Sequence, residues 1–343
     1  MRLLLTAGGT GGHIFPGLAL AGELQRLGVE VVWLGRKDGL EATLAEEEGI
    51  RFEPLGAAGF FGKGIGGKVM GAWLLGRGIV RSLVLFDRFE PDALVAAGGY
   101  VSAAPLVAAQ LRKKPYFLLE QNCIPGRVTR FFAPKARESY LTFPTVKPFP
   151  GAAVVTGSPL RPALQEGRRN DDGRTVLVLG GSGGAQALSK AALDVAAALP
   201  NLNFIILTGR RDYQLMRSLV RSKNVELVEF TFHPEELYRR ATIAISRAGG
   251  LVLSELLAFG IPVIVVPFPY ATDQHQHANA QFLASIGAGV VLDQSCLSGL
   301  TTLVQTLLND EPRRQRMAQA AKAAARPDAG RVIAERIVRC LAG

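Results

Sequence analysis

The sequence predicts an α/β protein of two doubly wound, Rossmann-like domains, each with a parallel sheet, that face each other across a cleft. Three observations predict this fold class. The chain has 343 residues, enough for two domains of ordinary size. An apolar run, a glycine cluster and a helical pattern follow one another at the start of the chain, and the same succession begins again at Thr175. Strand, helix and strand in this order form the unit of a parallel sheet.

The predicted elements follow from apolar runs and from helical spacing. In the first half the predicted strands are 2–5, 29–34, 94–97, 116–119 and 153–156. In the second half they are 175–179, 203–208, 225–230, 242–246 and 261–266. Helices are predicted at 18–27, 185–199 and 330–341. The segment 157–174 is the predicted linker, because proline, glycine and polar residues cluster there.

The composition excludes several classes of protein. Three scattered cysteines without a CxxC pair predict neither a disulfide framework nor a zinc site. The apolar run at the start is too short for a signal peptide, and glycines, a serine and a proline interrupt the longest apolar stretch. The net charge of +10 favours an anionic partner. No basic run interleaved with aromatic residues exists, so we do not expect nucleic acid to be that partner.

Two glycine loops, GGTGG at 8–12 and GGSGG at 180–184, each follow a strand and precede a helix. The first N–H groups of a helix lack intrahelical partners and lie at the positive end of its dipole, so each loop is a candidate anion site. Neither loop fits the dinucleotide fingerprint or the P-loop pattern. The loops therefore predict phosphate or sugar contacts, and the alternative is that the glycines only form tight turns.

A third candidate anion site is RAGGLVLSE at 247–255, where a strand meets two glycines and a helix begins. Glu255 lies about one turn into that helix. The functional interpretation is that its carboxylate accepts hydrogen bonds from the vicinal hydroxyls of a ribose. The alternative is a solvated glutamate, or one in the first turn that only interacts with the helix dipole.

The segment DQHQHANA at 273–280 follows a predicted strand. An acid and amides at the carboxyl end of a strand suit sugar hydroxyls. Asp273, His275 and His277 also suggest a metal. However, His275 and His277 are two residues apart and do not share a helical face, so no metal site is predicted.

His13 directly follows the first glycine loop, at the predicted N-terminus of a helix. The helix dipole disfavours the imidazolium there, which helps to keep the ring a neutral base. The alternative is a histidine that caps the helix or packs locally.

Residues 60–81 mix large apolar and basic side chains among glycines. The apolar candidates for a membrane surface are Phe60, Phe61, Ile65, Trp73 and Leu74, and the basic candidates are Lys63, Lys68, Arg77 and Arg81. Basic residues beside aromatic ones are typical of segments that bind anionic membranes. The alternative is a glycine-rich loop whose apolar residues belong to the core.

Together these motifs resemble one family over nearly the whole chain. The motifs are GGTGGHIFP (8–16), GGYVS (98–102), EQN (120–122), GSPLR (157–161), GGSGGA (180–185), RAGGLVLSE (247–255) and DQHQHANA (273–280). The chain resembles the MurG family, bacterial transferases that add N-acetylglucosamine to lipid I. The resemblance implies a GT-B fold with an acceptor and membrane-association domain at 1–160, to which the C-terminal helix 326–343 returns, and a UDP-GlcNAc-binding domain at 161–325.

The resemblance also implies an activity and a location. The expected reaction is an inverting transfer from UDP-GlcNAc to the muramyl 4-hydroxyl of lipid I, which gives lipid II for peptidoglycan, with no cofactor. The expected location is the inner face of the cell membrane, as a peripheral protein on an anionic surface, with cell-wall synthesis and division proteins as further partners. The alternative function is a UDP-sugar isomerase of the 2-epimerase type on the same fold. Such an isomerase would not need a membrane-binding segment, so residues 60–81 disfavour this alternative.

Residue by residue, the resemblance makes His13 the candidate catalytic base. The implied UDP-GlcNAc-binding residues are Thr10, Gly11, Gly12, Asn122, Arg161, Ser182, Thr231, Gly250, Leu251, Val252, Leu253, Ser254, Glu255 and Gln276. Among them Glu255 is expected on the ribose, Gln276 on the sugar and the Thr231 backbone on uracil. The helix N-termini after Ser182 and Gly250, with Arg161, are expected to hold the diphosphate. The chain departs from the family pattern at Leu119, Ser158 and Gly183.

Overall fold

The computed structural model describes residues 1–55, 65–180 and 185–343, and of residues 65–69 it describes the backbone alone. These residues form two compact units. The first, here called the N-unit, contains Met1–Gln121, Pro125–Arg161 and Asp328–Gly343. The second, the C-unit, contains Asn122–Ile124 and Pro162–Pro327.

The N-unit is a parallel sheet with helices on its faces. Its strands are β1 Arg2–Thr6, β2 Glu30–Gly35, β3 Arg51–Pro54, β4 Ala93–Ala96, β5 Tyr116–Glu120, β6 Glu138–Leu141 and β7 Ala153–Val155. Its helices are α1 Gly11–Arg26, α2 Leu40–Glu47, α3 Ile65–Phe89, α4 Ala103–Leu111 and α5 Arg127–Phe132. The strand order is β3-β2-β1-β4-β5-β6-β7, and every pair is parallel. The predicted doubly wound arrangement is therefore confirmed.

The C-unit repeats this design. It begins with α6 Pro162–Gln165. Its strands are β8 Thr175–Leu179, β9 Asn203–Leu207, β10 Val225–Val228, β11 Ile243–Ser246, β12 Val263–Val265 and β13 Gly289–Val291. Its helices are α7 Gln186–Ala198, α8 Tyr213–Leu219, α9 Pro234–Arg240, α10 Gly250–Phe259, α11 His275–Ser285, α12 Leu300–Asn309 and α13 Glu311–Ala324. The order β10-β9-β8-β11-β12-β13 matches the first six strands of the N-unit sheet.

The last helix, α14 Ala329–Ala342, belongs to the N-unit although it follows the whole C-unit in the chain. Ile333, Ala334 and Ile337 are fully buried in the same core cluster as the leucines of α1. The Arg336 guanidinium also forms a bidentate ion pair with the carboxylate of Glu138, at the start of β6. The helix thus completes the N-unit core.

Three strands of the structure are absent from the sequence prediction: β3, β6 and β13. Each has only three or four residues, and polar or proline residues break the apolar run in RFEP and ESYL. Such short strands carry no clear alternating or apolar signal. Neighbouring strands and helices hold them in the sheet instead.

The alternative interpretation of residues 60–81 as a glycine-rich loop is wrong from Ile65 onward. Residues Ile65–Phe89 form the 25-residue helix α3, even though glycines recur in its first half. Leu85, Phe86 and Phe89 of this helix are buried in a core cluster of the N-unit. This packing outweighs the low helix propensity of glycine. Among the described residues, no helix combines the length and the apolar character that a membrane crossing would need.

The parallel strands place the motifs. The first glycine loop follows β1, GGYVS follows β4, and EQN begins at the last residue of β5. In the C-unit, RAGGLVLSE follows β11 and the segment before α11 follows β12. The carboxyl ends of parallel strands meet at one edge of a sheet, which is where ligands of doubly wound domains bind.

Candidate active site

The first glycine loop of the N-unit ends in the N-terminus of α1. Thr10 is the N-cap residue, with an extended backbone, and its carbonyl accepts hydrogen bonds from the N–H groups of His13 (3.1 Å) and Ile14 (3.2 Å). The Thr10 hydroxyl lies 3.2 Å from Nδ1 of His13. The structure therefore brings Thr10, Gly11, Gly12 and His13 together in a single helical turn, as the motif predicts.

The GGYVS loop packs directly against this turn. Gly98 has a φ of +96°, and a Cβ atom there would lie 2.6 Å from Cδ2 of His13. Gly99 has a φ of +81°, and a Cβ atom there would lie 2.5 Å from the carbonyl oxygen of Gly8. Only glycine fits either position, because both the backbone conformation and the space forbid a side chain. The close approach fixes where the His13 ring lies.

A buried carboxylate that the sequence analysis did not single out lies behind the same loop. Glu41, in the first turn of α2, is only 1% exposed, and its Oε1 accepts the N–H of Arg36 at 3.1 Å. A Cβ atom on Gly8 would lie 2.7 Å from that oxygen, and Gly35 and Gly39 would also clash with Glu41. In the sequence, the only hint of this packing is that glycines stand at positions 35 and 39, shortly before Glu41.

Arg161, the last residue of the N-unit before the segment Pro162–Pro327 of the C-unit, packs against α1. Its guanidinium is 4.8 Å from the centre of the Phe15 ring, two residues after His13. A cation over an aromatic face is attracted by the ring quadrupole. The structure therefore places Arg161, the arginine expected to help hold the diphosphate, against the first turns of α1.

In the C-unit, the predicted donor segment is the first half of α10. The side chains of Leu251 and Leu253 are buried, and the Ser254 hydroxyl donates to the Gly250 carbonyl at 3.0 Å. These side chains are occupied within the protein. Gly250 to Ser254 offer a ligand the backbone at the helix N-terminus.

Glu255 is buried, so the alternative of a solvated glutamate is wrong. The residue is only 5% exposed. Its Oε2 accepts a hydrogen bond from the Tyr238 hydroxyl at 2.6 Å. Burying a carboxylate is costly unless hydrogen bonds compensate for the lost water. Tyr238, on α9, supplies such a bond. An isolated tyrosine carries no signal in the sequence, so only the structure reveals Tyr238.

Thr231 lies in the loop after β10, where the resemblance expects the uracil contact. Its hydroxyl oxygen accepts the N–H of His233 at 2.9 Å, so the side chain is used to form the turn. The rings of Phe230 and Phe232 meet edge to face at 4.8 Å, and Arg210 lies 4.9 Å from the Phe230 ring centre. The loop is therefore shaped by its own side chains and by Arg210.

Gln276 lies on the first turn of α11, and its Oε1 accepts the N–H of Phe268 at 2.9 Å. Just before this helix, Asp273 and Gln274 have φ values of +52° and +56°. Two consecutive non-glycine residues in the left-handed region store strain, which occurs preferentially at functional sites. In the part of the chain that the structure describes, no group of three or more His, Cys, Asp or Glu side chains could hold a metal ion.

Asn122 belongs to the C-unit, although the chain on both sides of residues 122–124 belongs to the N-unit. The fully buried Asn279 holds it there. The Asn279 amide donates to Asn122 Oδ1 (3.0 Å) and to the Ala248 carbonyl (2.9 Å), and its oxygen accepts the N–H of Cys123 (2.8 Å). Asn279 thus joins the EQN motif to the residues that precede α10. It was quoted as part of DQHQHANA, but sequence reasoning gave it no role.

Arg247 is a second residue whose role only the structure shows. Its buried guanidinium donates to the carbonyls of Val266 (3.1 Å) and Pro267 (3.3 Å) and to the side chain of Gln294. Burial lowers the pKa of this arginine from its ordinary value. These bonds fix the chain where it leaves β12 toward Gln276.

Several predicted residues lie outside the described residues: Ser182 and Gly183 of the second glycine loop, and Phe60, Phe61 and Lys63 of the membrane segment. The side chains of Ile65 and Lys68 are likewise outside the description. Of the others, Trp73 is 54% exposed with Arg77 over its ring at 4.7 Å, and Leu74 is half-buried. Arg81 pairs with Glu53 and the Pro54 carbonyl, which also ties it to β3.

Comparison with known proteins identifies the family. The glycosyltransferase family 28 N-terminal domain matches residues 3–141, and the family's C-terminal domain matches residues 175–335. A UDP-N-acetylglucosamine--N-acetylmuramyl-(pentapeptide) pyrophosphoryl-undecaprenol N-acetylglucosamine transferase from Methylococcus capsulatus is 38% identical, over 97% of both chains.

Solved structures agree with this match. The crystal structure of MurG from Acinetobacter baumannii has a TM-score of 0.78 at 28% identity and covers 98% of this chain and 99% of its own. A UDP-GlcNAc 2-epimerase from Neisseria meningitidis, bound to UDP-GlcNAc, has a TM-score of 0.67 over 99% of this chain and 100% of its own, but at 15% identity it shares only the fold. The chain belongs to glycosyltransferase family 28 and, within it, to the MurG family of GT-B transferases.

Proposed function

We infer that the protein transfers N-acetylglucosamine from UDP-GlcNAc to undecaprenyl-pyrophosphoryl-MurNAc-pentapeptide (lipid I), which gives lipid II. The observation that carries this inference is the match, over 97% of both chains, to a transferase named for this reaction. The distinctive site residues of the C-unit agree with a nucleotide donor. They include a buried carboxylate on α10, a strained turn before α11 and an asparagine held by Asn279.

The donor is proposed to bind at the carboxyl edge of the C-unit sheet. The helix N-terminus at Gly250 faces the diphosphate, Glu255 accepts from the ribose, the Thr231 backbone contacts uracil, and Gln276 contacts the sugar. A helix N-terminus stabilises negative charge through its dipole and its N–H groups. The charge that grows on UDP as the glycosidic bond breaks is therefore stabilised by the same groups that bind the diphosphate.

The acceptor is proposed to bind at the first glycine loop of the N-unit, with His13 as the general base. The muramyl 4-hydroxyl attacks the anomeric carbon from the face opposite the diphosphate, and its proton passes to His13. The packing of Gly98 against the imidazole and the contact of Thr10 with Nδ1 support this role, because a base must be held in a fixed orientation. Arg161, on the Phe15 ring, is proposed to assist with phosphate charge.

A membrane-facing surface is proposed along one side of α3. Met70, Trp73, Val80 and Val84 are all at least half exposed. Together with Arg77 they recur every three or four residues, so the five side chains form one stripe. Side chains at this spacing share a helical face. An apolar stripe with a basic residue suits the headgroup region of an anionic membrane. Lipid I is anchored there by its undecaprenyl chain, so this surface would bring the enzyme to its acceptor.

Turnover distinguishes the transferase from the isomerase alternative. UDP should be released from UDP-GlcNAc only when a soluble lipid I analogue is present, and the analogue should gain one N-acetylglucosamine. Coupled UDP detection and mass spectrometry measure the two products. Conversion of UDP-GlcNAc to its 2-epimer without the analogue would instead favour the isomerase.

Glu255→Ala should weaken UDP-GlcNAc binding by about 10- to 100-fold, because hydrogen bonds to a charged group are worth ~1.5–3 kcal/mol. Isothermal calorimetry measures the change. The matched control is Glu226→Ala, which removes an exposed glutamate of the same unit that pairs with Arg240 on the surface. Equal donor affinity in the Glu255 variant and the wild type would show that the ribose binds elsewhere.

His13→Ala should lower kcat by about 10²–10⁴-fold, the usual contribution of a general base. Binding of UDP-GlcNAc should stay near that of the wild type, since the donor is assigned to the C-unit. Steady-state kinetics and calorimetry separate the two effects. An unchanged kcat would remove His13 from the mechanism, and Glu41, the buried acid behind the same loop, would be the next base to test.

Trp73→Ala combined with Arg77→Gln should reduce binding to anionic vesicles by about tenfold, since one basic residue near such a surface is worth ~1 kcal/mol and the indole adds apolar contact. Co-sedimentation at low and high salt measures it. The matched control is Leu215→Ala with Arg211→Gln, which removes an exposed apolar and an exposed basic side chain from the C-unit. Equal losses in both variants, or none in the first, would place the docking surface elsewhere.

A further inference from the structure

A buried hydrogen bond joins two neighbouring helices of the C-unit. Tyr238 of α9 donates its hydroxyl proton to Oε2 of Glu255 on α10 across 2.6 Å. Both residues are buried, Tyr238 with 2% and Glu255 with 5% of its surface exposed. A hydroxyl that donates to a carboxylate makes a charge-assisted bond, which is shorter and stronger than a bond between neutral groups. The carboxylate is therefore anchored from inside the protein.

The phenol cannot easily move away from this carboxylate. Its ring packs against Phe259 with the ring centres 5.3 Å apart and the planes at 60°. Phe259 lies four residues after Glu255, so it stands one turn further along the same face of α10. Tyr238 thus contacts α10 at two points, one polar and one aromatic. Packing fixes the hydroxyl, and the hydroxyl in turn limits the rotation of the carboxylate.

The helix that carries Tyr238 begins at the segment proposed for uracil. Thr231 accepts the N–H of His233, His233 is the N-cap of α9, and Pro234 is its first residue. Tyr238 follows five residues after His233. One short helix therefore connects the base-binding segment to the carboxylate proposed for the ribose.

We propose that Tyr238 is a positioning residue for the ribose of the donor. Its hydroxyl holds the Glu255 carboxylate in the orientation that accepts hydrogen bonds from the vicinal hydroxyls of a uridine nucleotide. The proposal rests on the assignment of Glu255 to the ribose in the proposed function. Tyr238 is buried and acts through Glu255, so its effect must depend on the ribose hydroxyls of the ligand.

The test compares two ligands with the Tyr238→Phe variant of the full chain. UDP and 2′,3′-dideoxy-UDP differ only in the hydroxyls that Glu255 is proposed to bind. Calorimetry should show that the variant binds UDP about three- to tenfold more weakly than the wild type, the usual effect of one hydrogen bond. Its affinity for dideoxy-UDP should not change. Equal weakening for both ligands would mean that Tyr238 only supports the fold, and no weakening for UDP would also overturn the proposal.

A matched control and a double-mutant cycle make the result specific. Tyr116→Phe removes another buried tyrosine hydroxyl, which donates to the Phe132 carbonyl in the N-unit, and it should leave both affinities unchanged. In a Glu255→Ala background, Tyr238→Phe should cause no further loss of UDP affinity, because the two side chains act as one unit. If Tyr238→Phe weakens UDP binding as much in the Glu255→Ala background as in the wild type, the proposal is contradicted. A lower melting temperature of Tyr238→Phe would not change this conclusion.

The wild type separates failure of this inference from failure of the proposed function. Wild-type enzyme that transfers N-acetylglucosamine and prefers UDP to dideoxy-UDP, with an unaffected Tyr238→Phe variant, would overturn the role of Tyr238 alone. Wild-type enzyme that transfers the sugar but binds both ligands equally would overturn the ribose assignment and this inference with it. Absence of transfer with the lipid I analogue would overturn the function itself.

Discussion

The parallel pairing of β1 with β4, and of β8 with β11, is the constraint on which the candidate sites depend. In each sheet the first strand lies beside the fourth rather than at an edge. The carboxyl ends of these two strands therefore lie side by side. A doubly wound sheet offers its ligand crevice at this reversal of strand order. The chain uses the same solution twice, once in each unit.

Close backbone approach at the reversal requires glycine. In the N-unit, the loop after β4 presses on the loop after β1, and Gly99 leaves no room for a Cβ atom against the carbonyl of Gly8. The imidazole of His13 fills the remaining space beside Gly98. The glycines of GGYVS therefore allow a histidine and a helix N-terminus to share one edge of the sheet.

Buried polar side chains hold the C-unit site in place. Asn279 makes three hydrogen bonds without exposure to solvent, Arg247 donates to two carbonyls and a glutamine, and Glu255 accepts from Tyr238. Each group would be costly to bury without its partners. Because the partners come from different loops and helices, these bonds fix those elements to one another. Preorganised groups of this kind can stabilise developing charge without rearrangement during the reaction.

The sequence by itself determined the fold class, the two-unit organisation of strands and helices and the motifs of the site, because apolar runs and glycine loops are local signals. It did not show the strands β3, β6 and β13, which are too short for a periodic pattern and are held by their neighbours. Only the tertiary structure decided that Glu255 is buried and that Asn122 joins the C-unit. It also revealed Glu41, Tyr238, Arg247 and Asn279. Their roles depend on partners from distant parts of the chain, and the parallel sheet brings those partners together.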